Sequence, residues 1–146
     1  MYSPIKPAVT ISATATEGRN GHTETEDHLV KADLSLPKAL GGPGIAGRAT
    51  PEHLFAAGYA ACFCGAVEFI QHQHKKNEHK PKVTCSVTVG PREAGGLGLT
   101  VKLHVSNPAI AQAEFEKIVH EAHETICPYS HATRGNVPVT FEIVGG

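Results

Sequence analysis

Between residues 8 and 16 the sequence AVTISATAT alternates small or β-branched residues with polar ones, the period-two pattern of a strand. Gly18-Arg19-Asn20-Gly21 supplies turn residues, and a second alternating run from His22 to Leu36, ending in KADLSL, completes an N-terminal hairpin. A loop rich in glycine and proline follows, LPKALGGPGIAGRA. At Thr50-Pro51-Glu52 the pattern changes to a helix start, with threonine at the cap, proline in the first helical position and an acid in the first turn. The helix is expected to run to about Lys76, and from Leu54 to Ile70 it is nearly all apolar and rich in alanine and glycine. A helix apolar on every side is expected to be buried, with its small residues close against another element or a second subunit. Its apolar run is too short and interrupted to meet the ~18 consecutive apolar residues of a membrane span.

The pattern returns to period two in Lys82 to Val89 and in Leu99 to Val105, on either side of the turn PREAGGLG. Asn107-Pro108 opens a second helix, AIAQAEFEKIVHEAHETI, with Ile110, Ala113, Phe115, Ile118, Val119 and Ala122 near one face and an end close to Cys127-Pro128. A loop, YSHATRGN, leads to a last strand, VPVTFEIV. The order ββ–α–ββ–α–β predicts one α+β domain over residues 1–146 with an antiparallel sheet.

Composition narrows the function classes. A net charge of −1 leaves no basic excess to displace counterions from nucleic acid or to bind an anionic membrane surface. The N-terminal segment lacks a basic start followed by an apolar run, so a cytoplasmic protein without nucleic-acid or membrane partners is expected. The cysteines at 62, 64, 85 and 127 contain no C-x-x-C pair, which removes the usual zinc-ribbon and thioredoxin signatures. His72, His74 and His79 cluster in QHQHKKNEHK, and His120 and His123 sit on the second helix. Histidines two apart on a helix do not converge, so a solvated helix end and no metal site are expected. By itself Cys62 reads as a small hydrophobe in a core, Cys127 stands at a helix–loop boundary, and spacing alone does not bring the two together.

The segment PEHLFAAGYAACF, followed about 60 residues later by CPYSHATRGNVPV, closely resembles the two cysteine motifs of the organic hydroperoxide resistance family, part of the wider OsmC-like group. LPKALGGPG and GRNG also sit where that family has comparable segments, so the resemblance extends from about Ala13 to Val144. It implies an OsmC-like fold, with antiparallel sheets packed around a long buried central helix in an intertwined homodimer. It also implies a peroxidase reducing alkyl and fatty-acid hydroperoxides, an antioxidant activity of the oxidative stress response. Carried over residue by residue, Cys62 becomes the peroxidatic cysteine, Cys127 its resolving partner, Arg19 the residue activating the thiolate, and Glu52 the carboxylate holding that arginine. No bound cofactor is implied; dihydrolipoamide, carried on a lipoylated protein, is the external reductant. The chain departs from the family at Cys64, where an apolar residue is usual, at His131, where asparagine is common, and at Ala49-Thr50 in place of Thr-Asn.

These roles are chemically coherent. The thiolate is the reacting species, and a free thiol with pKa about 8.5 is mostly protonated at neutral pH. Burial raises that value, whereas a guanidinium at ~4 Å in an effective dielectric of ~20 contributes roughly 4 kcal/mol toward the anion. A paired carboxylate removes the cost of an isolated buried guanidinium. Ten helical residues separate Glu52 from Cys62, a rise of roughly 15 Å. Either the helix bends near Gly58 or Glu52 serves the other subunit's cysteine, and the second arrangement is favoured. Phe55 and Phe63 are expected to line the substrate site, Cys64 and Cys85 to be packing residues, and Arg134 and Gly135 to shape the resolving loop. The alternative is a redox sensor or binding protein on the same scaffold that uses Cys62 oxidation without turnover.

Overall fold

Short strands of threonine, alanine and charged residues open the chain. In the computed structural model, which describes residues 3–146, β1 (Ala13–Thr16), β2 (His22–Thr25) and β3 (Lys31–Asp33) form an antiparallel meander in the order β1-β2-β3. The expected two-stranded hairpin gains a third strand because the run from His22 to Leu36 is interrupted. His28 takes a left-handed φ of 62°, and Thr25 and Val30 close the turn with a backbone hydrogen bond of 2.9 Å. Between β1 and β2, Gly18 to Asn20 form a single 3₁₀ turn that carries Arg19. A side chain at Gly21 would place its Cβ 1.8 Å from the Thr16 carbonyl oxygen, so only glycine fits there. Among the described residues up to Pro51, only Leu34 and Ser35 are buried. This unit therefore carries almost no core of its own.

A second compact unit runs from Glu52 to Gly146. Its long helix α1 occupies Pro51–Gln73, starting at the expected cap and ending three residues before the expected Lys76. β4 (Lys82–Pro91) and β5 (Leu97–Ser106) pair antiparallel, and β6 (Val139–Val144) joins β5 in parallel. The wholly antiparallel sheet expected here is thus a mixed one. The chain between β5 and β6 is a crossover, α2 (Gln112–Glu121), a single π turn (Ala122–Ile126) and a short α3 (Pro128–Thr133), and such a crossover returns the strand in the original direction. The segment YSHATRGN, expected as loop, gives its first five residues, Tyr129 to Thr133, to α3.

Alternation sets one face of this sheet toward the core. Val83, Cys85 and Val87 of β4 stand opposite Val105, Leu103 and Val101 of β5, which stand opposite Ile143, Phe141 and Val139 of β6. These three apolar rungs join Tyr59, Phe63, Val67 and Ile70 of α1 and Phe115, Ile118 and Val119 of α2 in one cluster. The polar residues between them, among them Lys102, His104 and Glu142, lie on the opposite face. Two buried amides close the lower end: Asn107 Nδ2 donates to Gln71 Oε1 at 3.2 Å and to the His79 carbonyl at 3.0 Å, while Gln71 Nε2 donates to the carbonyls of Lys76 and His79.

The helix α1 is not buried on all sides within this chain. His53, Ala57, Ala61, Gly65 and Phe69, spaced by four, form an exposed stripe along it. Its 23 residues and mean hydropathy of 1.4 are also sufficient, by length and composition alone, for a membrane span, contrary to the expectation that it is too interrupted. Its buried side chains are instead used in the core just described.

Candidate active site

The two cysteines that spacing could not connect meet in space. Cys62, in the middle of α1, and Cys127, at the start of α3, have their sulfurs 3.5 Å apart although they are 65 positions apart in the chain. Both are free thiols; Cys62 is half-buried and Cys127 fully buried. The helix that brings Cys62 here runs through Gly58 without interruption. Glycine at 58 serves the neighbouring aromatic: a Cβ there would lie 3.2 Å from both Cε2 and the hydroxyl of Tyr129.

Local sequence explains the position of Cys127. Its extended φ and ψ of −69° and 116° place it as the N-cap of α3, Pro128 follows in the first turn, and Ser130 N–H donates to Cys127 Sγ at 3.4 Å. Sulfur thus takes the place usually held by a serine or aspartate oxygen. The π turn before it, closed by Cys127 N–H on the Ala122 carbonyl at 3.0 Å, inserts the additional residue that points this thiol at α1. His131 Nδ1 reaches the Cys127 carbonyl at 2.9 Å, and the Arg134 guanidinium donates to the His123 carbonyl.

Behind Cys127 lies a buried polar relay. The Tyr59 hydroxyl and Ser130 Oγ are 2.8 Å apart, Tyr59 also reaches Thr133 Oγ1 at 3.3 Å, and Ser130 Oγ meets His123 Nδ1 at 2.7 Å. His123 is held between rings, 5.0 Å from Phe141 and 6.4 Å from Phe63 between centroids. None of Tyr59, Tyr129, Ser130, Thr133 or His123 was singled out for the site from sequence; the only signal was their closeness to Cys62 and to the CPYS motif.

Electrostatics within this unit favour a protonated Cys62. Burial pushes its thiol up, a hydrogen bond from the Tyr129 backbone N–H works in the opposite direction, and the Cys127 thiol adds to the rise. Burial likewise raises Cys64 and Cys85. Cys64 turns away from Cys62 and donates to the Pro81 carbonyl at 3.6 Å, and Cys85 faces the core from β4. Glu52 lies in the first turn of α1, ten residues from Cys62, and Arg19 lies on the 3₁₀ turn of the N-terminal unit.

The expected substrate-lining pair divides. Phe55 is half-buried and packs edge-on to Tyr59 at 6.1 Å. Phe63 has no exposed surface and sits between Tyr59 and Phe141. As a core residue it offers no face to a ligand here, because the residue after Cys62 falls on the sheet-facing side of α1. Among the described residues no group of three histidine, cysteine, aspartate or glutamate side chains is placed to hold a metal ion. His72 and His74 bond separately to Asn77 and Glu121.

Comparison with known proteins gives a consistent result. A family model described as OsmC-like protein matches residues 42–142. The organic hydroperoxide resistance protein of Xanthomonas axonopodis pv. citri is 44% identical over 144 residues, covering 98% of this chain and 99% of its own. The crystal structure of an organic hydroperoxide resistance protein from Legionella pneumophila aligns with a TM-score of 0.88 at 43% identity, over 97% of this chain and 100% of that one. The organic hydroperoxide resistance protein OhrB of Bacillus subtilis aligns with a TM-score of 0.82 at 37% identity, over 92% and 98%.

Proposed function

The chain belongs to the organic hydroperoxide resistance family of OsmC-like proteins, and on that footing we propose that it is a thiol-dependent peroxidase with Cys62 as nucleophile and Cys127 as resolving thiol. The observation that carries this reading is the 3.5 Å separation of the two reduced sulfurs. A disulfide needs about 2.05 Å, so closure asks for a movement of only about 1.5 Å.

In the first step the Cys62 thiolate attacks the terminal oxygen of an organic hydroperoxide. The S–O bond forms as the O–O bond breaks, sulfur is oxidised by two electrons, and the alkoxide takes a proton to leave as the alcohol. In the second, Cys127 attacks the Cys62 sulfenic acid; the S–S bond forms, and the hydroxyl leaves with the Cys127 proton as water. An external dithiol, for which we propose dihydrolipoamide on a lipoylated protein, reduces the disulfide by two exchanges and becomes a disulfide itself.

Burial alone leaves Cys62 too weakly acidic for the first step. In this reading Arg19 supplies the missing positive charge and also stabilises the departing alkoxide, and Glu52 holds Arg19. A cation at ~4 Å contributes roughly 4 kcal/mol toward the anion, acting against the rise that burial causes. We further propose a homodimer in which a second copy covers the exposed α1 stripe and the apolar N-terminal residues Ile5, Val9 and Leu29, each more than 80% exposed here, since such apolar surface calls for a partner. Glu52 of one subunit then serves Cys62 of the other, and the two units of each chain act as one functional domain in the reducing cytoplasm. Mixed dimers of Glu52→Gln and Cys62→Ser subunits should recover one complete site; a mixture as inactive as its parents contradicts assembly across subunits.

The functional test is steady-state turnover. Cumene hydroperoxide should be consumed catalytically with a dithiol reductant and poorly with a monothiol. A single oxidation without recycling would instead identify the sensor.

A further inference from the structure

The relay behind Cys127 has a direction. Thr133 gives its hydroxyl proton to the Ser130 carbonyl at 3.2 Å, so toward Tyr59 it acts as acceptor. With the Tyr59 proton directed to the nearer oxygen, Ser130 Oγ at 2.8 Å, the Ser130 hydroxyl is the donor to His123 Nδ1 at 2.7 Å when the imidazole carries its proton on Nε2. A neutral imidazole protonated at Nε2 accepts that bond, and the doubly protonated ring cannot. We propose, resting on the peroxidase reading above, that His123 is a positioning residue for the resolving step: by accepting from Ser130 it fixes the first turn of α3, whose Ser130 N–H holds the Cys127 sulfur opposite Cys62.

The surroundings favour the neutral ring. Phe63 from α1 and Phe141 from β6 enclose it without charge. Burial holds the His123 pKa below its ordinary 6.5, the Arg134 charge acts next in the same direction, and His120 and His131 add to it against an opposing Glu124. Protonation reverses the relay: Nδ1–H then donates to Ser130, whose own proton must turn to Tyr59, and that of Tyr59 to Thr133 over a longer 3.3 Å. The resolving thiol is thus tied to a titrating group with no contact to the peroxide.

The two half-reactions separate the possibilities. After rapid mixing with an alkyl hydroperoxide, sulfenic acid formation is followed with a trapping reagent and disulfide formation by quenched-flow mass analysis. His123→Phe, which retains the stacked ring, should form sulfenic acid within about twofold of the natural rate and disulfide about tenfold more slowly, the scale of one buried hydrogen bond. It should also accumulate sulfinic acid at excess peroxide. Ser130→Ala removes the same bond from the other side and serves if His123→Phe does not fold; the double variant should be no slower than the slower single one. His123→Asn, which keeps a polar atom near the Nδ1 position, should recover most of the rate. The ratio of natural to His123→Phe disulfide rates should shrink toward one as the pH falls below 6.5 and the natural histidine charges. Unchanged disulfide rates in both single variants, equal slowing of both half-reactions, or a ratio independent of pH overturns the proposal. Absence of trappable sulfenic acid in Cys127→Ser would instead overturn the peroxidase reading itself.

Discussion

Phe63 follows the candidate nucleophile directly, and replacing it distinguishes core from substrate site. Its ring is fully buried, with centroids 6.4 Å from Tyr59 and 5.8 Å from Phe141. Truncation to alanine removes the whole buried ring and leaves a cavity, at a cost of about 3–5 kcal/mol. The ring pairs account for about 0.5–1.5 kcal/mol each of that loss. Against a total stability of about 5–15 kcal/mol, Phe63→Ala stands near the edge of folding. Phe63→Leu, which keeps most of the volume, should lose about 1.5 kcal/mol. The chain has no tryptophan, so urea unfolding is followed by far-UV circular dichroism with linear extrapolation. For folded Phe63→Leu, kcat/KM should change by one common factor for tert-butyl and cumene hydroperoxides. Unchanged stability in Phe63→Ala, combined with a selective effect on the bulkier peroxide, would refute the core assignment and restore Phe63 to the substrate site.

Gly58→Ala should displace the Tyr129 ring, and with it the backbone N–H that reaches Cys62, slowing peroxide consumption severalfold while the helix itself gains propensity; circular dichroism and initial rates check both halves. Asn107→Ala removes three hydrogen bonds of that side chain, to Gln71 Oε1, the His79 carbonyl and the Ala109 N–H, and leaves the Gln71 amide oxygen without its Asn107 donor, at a cost of about 2–3 kcal/mol by urea titration. His123 gives a pH dependence whose sign follows from its lowered folded pKa. As pH falls below 6.5 the unfolded chain takes up the proton first, so stability present above that value is lost down to the folded pKa. His123→Phe should flatten this part of the stability profile.

The start of α1 was legible because its signals are local: a threonine cap, a proline confined to the first turn, an acid beside it. The faces of β4, β5 and β6 were legible for the same reason, since alternation is written residue by residue. The direction of β6 was not, because the pattern VTFEIV is the same in a parallel or an antiparallel ladder, and only the crossover through α2 and α3 decides it. The exposure of Ala57, Ala61 and Phe69 was hidden by composition, as an apolar helix carries no mark distinguishing faces covered by its own chain from faces left open. Cys62 and Cys127 came together in the sequence only through resemblance; their physical meeting depends on a π turn and a sulfur N-cap that no periodicity signals. The full burial of Phe63 is not legible from its place beside Cys62, because adjacent helical residues point about 100° apart and periodicity does not say which of them faces the sheet.

Everything proposed for this chain depends on Cys62 and Cys127 exchanging two thiols for one bond when a peroxide arrives. The direct measurement is intact mass after one equivalent of an alkyl hydroperoxide, with a non-reducing digest of the product. The loss of two hydrogens and a peptide linking Cys62 to Cys127 is the predicted result. A gain of oxygen without any cross-link, or a cross-link through Cys64 or Cys85, would contradict it.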